Sequence, residues 1–372
     1  MAKIFICGDI VNSTNKSCFW SSDIHNVIKD CDYAVCNFEG PIKSNGNAIL
    51  KSGPHIFQKE ETIKLLSELG FDLLLLANNH IFDYGKEGLN STINEAEKNN
   101  LGFTGAGNSI SEAYKPFFIK VGDLNVAIIN GCEAQFGVLD GNDLSQESGY
   151  AWINHWLIDE AIVYAKKLAD YVIVCPHAGL EDYSVPLIEW RERYKRLCDL
   201  GASCIISSHP HVPQGYENYK GKPIFYSLGN FYFDALGYKN MPDHSYSVIL
   251  NITKKLTTFE LVYHQKENGI ICLSDIGNHL SIENLNAQLF NDEILSNIYL
   301  TEYEKSCRLY LKLSICLFKH SGSILYTLKR LIKKFISPKK FKQENEILLM
   351  HLFRNETYRW ILQRAINLKS AR

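Results

Sequence analysis

Along the first two thirds of the chain, short apolar runs break off again and again at a cluster of polar residues. Lys3 to Cys7 runs into Gly8-Asp9, Tyr33 to Cys36 into Asn37-Phe38-Glu39-Gly40, and Phe71 to Leu76 into Ala77-Asn78-Asn79-His80. Tyr171 to Cys175 leads to Pro176-His177-Ala178-Gly179, and Ala202 to Ile206 leads to Ser207-Ser208-His209-Pro210-His211. Runs this short and this continuously apolar predict strands buried on both faces. Between them, apolar residues recur at helical spacing near Thr62 to Leu69, Gly88 to Asn99, Trp156 to Leu168 and Leu187 to Leu200. The last of these stops at Gly201, the residue type that ends helices. Phe117 to Val121 and Asn125 to Asn130 read as a hairpin turned at Gly122-Asp123. Pro223 to Ser227 and Tyr246 to Ile252 follow as strands, with Phe259 to His264 set to pair with the second. The predicted fold is a layered α/β domain of mixed strand order over residues 1–280, followed by a helical extension over 281–372.

The polar clusters carry the chemistry. In an open sheet, ligands bind outside the carboxyl ends of the strands, so groups that end distant runs converge there. Asp9, Glu39, Asn79, His80, His177, His209 and His211 all stand at such ends, an inventory of oxygen and nitrogen donors suited to a metal. Asp83, three residues past His80, supplies a carboxylate to orient that imidazole. Each residue alone has a plainer role, Asp9 as a turn or cap and His80 or His177 as a hydrogen-bonded histidine at the core edge. Seven such groups at the ends of separate runs outweigh those single readings.

With 372 residues and 46% hydrophobic content the chain can bury a large core. No basic stretch followed by an apolar one opens the sequence, and no apolar run is as long as a membrane span, so neither a signal peptide nor a transmembrane helix is expected. The eleven cysteines show no CxxC spacing, and Cys7, Cys36, Cys175 and Cys204 sit within strand patterns. They read as reduced core residues of a cytoplasmic protein. The net charge of −2 conceals a division: residues 1–304 hold 23 basic against 38 acidic groups, whereas Lys305 to Lys342 holds eleven basic and no acidic ones. There Leu309, Leu313, Leu317, Ile324, Leu325, Leu328, Leu331, Ile332 and Phe335 recur at helical spacing. Such a segment can lie on the inner face of an anionic membrane or on an anionic polymer, or pack on the acidic domain and neutralise it; the last is the plainer reading. No nucleic-acid partner is expected.

The motifs resemble those of the CapA family of poly-γ-glutamate and capsule synthesis proteins. Gly8-Asp9, Asn37-Phe38-Glu39, Ala77 to Gly85, Gly105 to Asn108, His177 to Glu181, Ser208 to His211 and Tyr226 to Phe231 come in that family's order over roughly residues 3 to 235. The family is similar to the calcineurin-like metallophosphoesterases, and the run Ala77 to Gly85 is similar to a motif of secreted nucleotidases. The resemblance implies a metallophosphoesterase-like sandwich of mixed β-sheets flanked by helices, one or two divalent ions (Mn, Fe or Zn), and an anionic phosphoester or polymer substrate in envelope biosynthesis. It implies that Glu39 bridges two metals, with Asn79, His177 and His209 completing one site and Asp9 and His211 belonging to the other. His80 would act as acid or charge stabiliser, oriented by Asp83, and Glu181 and Asn230 would lie near the substrate. Four positions depart from the pattern. Val11 stands where the superfamily has a His, Ala178 where the family has a Trp, and Ser207-Ser208 where it has Gly-His. A non-catalytic component that binds or hands over an anionic polymer is the alternative.

Overall fold

In the computed structural model the described residues are 1–14, 17–43, 46–141, 146–235, 243–274, 281–314 and 336–370, with the side chains of 306–314 and Ser370 left aside. They form two compact units, one of Met1–Ile49 with His55–Leu289 and one of Leu50–Pro54 with Phe290–Arg372. The strands of the first unit are β1 (Ala2–Val11), β2 (Tyr33–Phe38), β3 (Leu73–Leu75), β4 (Gly102–Thr104), β5 (Ala106–Gly107), β6 (Phe117–Val121), β7 (Leu124–Cys132), β8 (Val138–Leu139) and β9 (Gly149–Ala151). They continue as β10 (Tyr171–His177), β11 (Cys204–Ile206), β12 (Tyr216–Tyr219), β13 (Lys222–Phe225), β14 (Asn230–Phe233), β15 (His244–Ile252), β16 (Thr257–Glu267) and β17 (Ile270–Leu273). Its helices are α1 (Ser22–Lys29), α2 (Thr62–Leu69), α3 (Gly85–Lys98), α4 (Ile110–Ala113), α5 (Trp156–Leu168), α6 (Ile188–Leu200) and α7 (Ile282–Gln288).

Two mixed sheets face each other. One has the order β17-β16-β15-β1-β2-β3-β4 with β14 also paired to β1, the other the order β12-β13-β11-β10-β7-β6, and β5-β9-β8 make a small third sheet. Alternation along the strands sorts side chains to the two faces of each sheet. Ile4, Ile6, Val35 and Leu73 from the first sheet meet Val126, Ile128, Ile173 and Ile206 from the second in one core. Phe5, Cys7, Cys36 and Leu74 point the other way, into a core closed by Ile24, Ile28, Ile63, Leu66 and Leu89 of α1, α2 and α3. On the far face of the second sheet α5 packs on β7 and β10, and α6 on β11 and β13. Helices thus flank a pair of sheets, which is why the parallel strands are apolar on both sides. The hairpin β6–β7 and the antiparallel pair β15–β16 form where the apolar pattern places them.

The strand tips that matter are irregular. β1 is bulged between Cys7 and Asp9 against β2, and again between Asp9 and Ile10 against β14. Bulges turn a side chain out of the pleat at a sheet's end. Gly8 permits the crossing, because a Cβ there would lie 1.8 Å from the Gly229 carbonyl oxygen.

The first unit runs on through α7, where Asn286 Oδ1 accepts from Tyr216 N at 2.7 Å. The boundary expected at residue 280 falls at the edge of 275–280, outside the described residues. In the second unit α8 (Asp292–Ser314) packs with α9 (Pro338–Arg354) and α10 (Glu356–Ser370). Leu295, Tyr299, Leu352, Ile361 and Ala365 are buried there, and Lys369 Nζ lies 4.2 Å from the centre of the Tyr303 ring. The apolar positions Leu309 to Phe335 of the basic stretch lie outside the residues whose side chains are described. No helix among the described residues is long and apolar enough to cross a membrane.

Candidate metal centre

The tips of β1, β2, β3, β10 and β11 bring their polar residues to one buried place. Asp9, Glu39 and His211 are all buried, and one ligand atom from each lies within 4.8 Å of the others. His211 Nδ1 is 3.4 Å from Asp9 Oδ2, and its Nε2 is 3.9 Å from Glu39 Oε1. Beside this set, His177 Nε2 lies 3.1 Å from Asn79 Oδ1 and 3.1 Å from His209 Nδ1. Asn37 joins the two sets, donating through Nδ2 to Asp9 Oδ1 at 2.8 Å and lying 3.2 Å from His177 Nδ1. His80 stands across from Glu39, its Nε2 4.0 Å from Oε1, while its Nδ1 is hydrogen-bonded to Asp83 Oδ2 at 2.7 Å. Asp83 Oδ2 also accepts from Ile56 N at 2.7 Å, so the carboxylate that orients His80 is itself fixed.

Glu181 and Asn230 border this group. Glu181 Oε1 is 3.9 Å from His209 Nε2 on a half-exposed side chain. Asn230 pairs with Asp9 in the β1–β14 register and places Oδ1 3.0 Å from His211 Nδ1. Val11, two residues past Asp9, packs with Ile56, Phe233 and Ala235 in a small apolar cluster.

The electrostatics are those of a pocket short of positive charge. Both carboxylate oxygens of Glu39 are buried and accept no hydrogen bond, a costly arrangement for a group left to itself. Burial first, then the neighbouring Asp9, Glu181 and Asp83, pushes the Glu39 carboxyl well above its ordinary range, with His211 opposing. Burial would depress His211, but Glu39 and Asp9 lift it to about 10. His177 and His209 are held well below the usual imidazole range, by burial and then by neighbouring imidazoles. They are therefore neutral at pH 7, the form that ligates metals. Orphaned buried carboxylate oxygens, with neutral imidazoles in the adjoining set, are donors that a divalent cation satisfies.

The backbone around these residues is held under strain. His209 and His211 both have positive φ, 103° and 61°. Non-glycine residues in such conformations cost about 1–3 kcal/mol each and persist where the surroundings over-determine them. Here Ala178 N donates to Ser208 O, and His209 N lies 3.4 Å from Asp9 Oδ2.

Several supporting residues carry little or no signal in the sequence. Buried Asn78 accepts from Gly40 N and His80 N through Oδ1 and donates to the Phe38 carbonyl, tying the Glu39 turn to the His80 turn. Gln58 donates to the carbonyls of Ile10 and Glu39 and accepts from Asn12 N, a strap from a loop far from any apolar run. Asn130 bridges the sheets, accepting from Ala77 N and donating to the Cys175 carbonyl. Glu133 and Gln135 follow β7 just as His177 ends β10. The hairpin reading stops at Asn130, so this strand end goes unread in the sequence although it obeys the same rule.

The model of the bacterial capsule synthesis protein PGA_cap family matches residues 4–235. The chain belongs to this family. It is 32% identical over 251 residues to the PGA biosynthesis protein CapA of Bacillus subtilis (strain 168), a match covering 66% of this chain and 61% of that protein. It is likewise 32% identical over 254 residues to the capsule biosynthesis protein CapA of Bacillus anthracis, covering 66% and 57%. The matched stretch thus spans about three fifths of these PGA_cap relatives. Among solved structures, the calcineurin-like phosphoesterase YfkN from Bacillus subtilis overlaps 83% of this chain and 98% of its own, with 16% identity and a TM-score of 0.40. A likeness of that size adds nothing to the chemistry of the PGA_cap site, which rests on the distances above.

Proposed function

We propose that this PGA_cap chain is a metal-dependent phosphoester hydrolase acting in capsule, poly-γ-glutamate or envelope polymer biosynthesis. The observation that carries the reading is Glu39, whose two buried oxygens have no hydrogen-bond donor and whose Oε1 lies 3.9 Å from His211 Nε2 and 4.0 Å from His80 Nε2. Asp9, Glu39 and His211 would hold one divalent ion, and Asn79, His177 and His209, with Glu39, a second. Mixed carboxylate, amide and imidazole donors suit Mn²⁺, Fe²⁺ or Zn²⁺. When bound, such ions polarise a phosphoryl oxygen and lower the pKa of water at the site. His80 supplies the proton or the compensating charge for the departing oxygen, because Asp83 fixes Nδ1 and turns Nε2 toward the cluster. Glu181 and Asn230, at the border of the cluster, would contact the substrate.

A second reading, a non-catalytic carrier of an anionic polymer, draws on Val11. The side chain that stands in place of an imidazole is packed into an apolar cluster and offers no ligand. Elemental analysis of the purified full chain, followed by a screen of phosphomonoesters and phosphodiesters with Mn²⁺, Zn²⁺ and Fe²⁺, separates the two. The hydrolase reading expects at least one metal per chain, lost in His177→Ala and His209→Ala, together with hydrolysis. No metal after supplementation overturns it; metal without hydrolysis leaves the carrier.

A further inference from the structure

The amide of Asn79 can serve a cation only if its oxygen, not its nitrogen, faces His177. The two ends of an amide are nearly the same size, so shape does not choose between them; hydrogen bonding must. Asn79 Nδ2 donates to Gln135 Oε1 at 3.4 Å, and Gln135 Nε2 donates to Glu133 Oε1 at 2.7 Å. Glu133 is fully buried and Gln135 nearly so. The carboxylate oxygen accepts from the Gln135 NH₂, and this turns the Gln135 oxygen to Asn79. Asn79 must then present its own NH₂ to Gln135, which leaves Oδ1 toward His177 Nε2 at 3.1 Å.

The loop that carries this chain is pinned at three points. Glu133 N donates to the His177 carbonyl at 3.1 Å, Gln135 N to Tyr150 Oη at 2.9 Å, and Tyr150 Oη to the Glu133 carbonyl at 3.2 Å. The carboxylate also reaches His209, with Oε1 3.7 Å from Nε2. A carboxylate on that side favours the proton on Nε2 and leaves the Nδ1 lone pair for the cluster, where Nδ1 lies 3.1 Å from His177 Nε2.

We propose that Glu133 and Gln135 form a carboxylate–amide relay, a pair of positioning residues that sets which atom of Asn79 and which nitrogen of His209 face the metal. The inference rests on the metal-centre reading above. It belongs to this chain's own residues and does not depend on the substrate.

The test compares Glu133→Gln with the double exchange Glu133→Gln/Gln135→Glu in the full chain, using Mn²⁺ binding by calorimetry. Glu133→Gln removes the acceptor-only group, frees the Gln135 amide to turn over, and lowers Mn²⁺ affinity by about 10–100-fold. The double exchange restores most of that affinity, because the carboxylate moved to position 135 offers only acceptors to Asn79, while the amide moved to position 133 donates to that carboxylate. A merely structural loss in Glu133→Gln would not be repaired by a second substitution. In the metal-free protein, the side-chain amide resonances of Asn79 move in Glu133→Gln and return in the double exchange. Equal Mn²⁺ affinity in wild type and Glu133→Gln, or a double exchange no better than the single one, overturns the relay. If Glu133→Gln weakens Mn²⁺ binding but no phosphoester is cleaved, the relay stands and the hydrolase reading falls. If the wild type takes up no Mn²⁺, the metal reading falls and unchanged Asn79 resonances in Glu133→Gln overturn the relay as well.

Discussion

Replacing Glu39 by Met sets two effects of opposite sign against each other. Its oxygens are buried without a hydrogen-bond donor, and an unsatisfied buried polar group costs about 1–3 kcal/mol. Met has nearly the same length, is unbranched and needs no partner. His211 loses the larger of the charges that support it but keeps Asp9 Oδ2 at 3.4 Å and Asn230 Oδ1 at 3.0 Å, so it is left partnered. The metal-free variant is therefore expected to be more stable than wild type by about 1–3 kcal/mol, each kcal/mol raising the melting temperature by about 2–4 °C in a domain of this size. With metal the order reverses. Mn²⁺ at about one thousand times its dissociation constant stabilises the wild type by about 4.1 kcal/mol and leaves the variant where it was. Thermal melts of both proteins in chelator and in excess Mn²⁺ measure all four values. A variant that melts below wild type in chelator, or that gains as much from Mn²⁺, would refute the assignment of Glu39 as an unsatisfied ligand.

His80→Gln is expected to lower turnover of whichever phosphoester is cleaved by about 10²-fold or more while metal content by elemental analysis stays unchanged. Parallel loss of metal would make His80 a ligand instead. Buried His264, bonded to Ser245 and Ser247 and depressed to about 3, takes no proton while the unfolded chain's imidazole takes one below about pH 6.5. Stability should thus fall with falling pH, by about 2 kcal/mol between pH 7 and pH 5 from this group, and urea unfolding of His264→Gln should lack that part of the slope. Gly105→Ala would put a Cβ 2.1 Å from Asn130 Oδ1 and 2.7 Å from the Ala77 Cβ at a φ of 92°. A loss of roughly 2–6 kcal/mol in urea unfolding is expected, and a loss under 1 kcal/mol would show that the Asn130 bridge between the sheets is free to move.

How much of the site was legible depended on how its residues are held. Asp9, Glu39, Asn79, His177, His209 and His211 could be read because each follows an apolar run, and parallel strands of a layered sheet end at a common edge. Gln58 could not be read, because a loop residue that straps two strand ends leaves no periodic trace. Glu133 lay one residue beyond β7, and only the position of that strand beside β10 reveals that its tip reaches the same place. The role of Val11 was half visible: the missing imidazole is plain in the sequence, but its burial with Ile56 and Phe233 is not.

The sequence by itself determined the alternation of strands and helices, the inventory of donors and the family, since these depend on local pattern and on residue type in order. The tertiary structure alone decided the partners: that Glu39 goes without a donor, that Asn37 and Asn78 join the strand tips, and that Asn79 turns its oxygen toward His177. Those outcomes come from contacts between segments far apart in the chain, at distances of a few ångströms, where a hydrogen bond forms or fails on geometry that spacing along a chain does not encode.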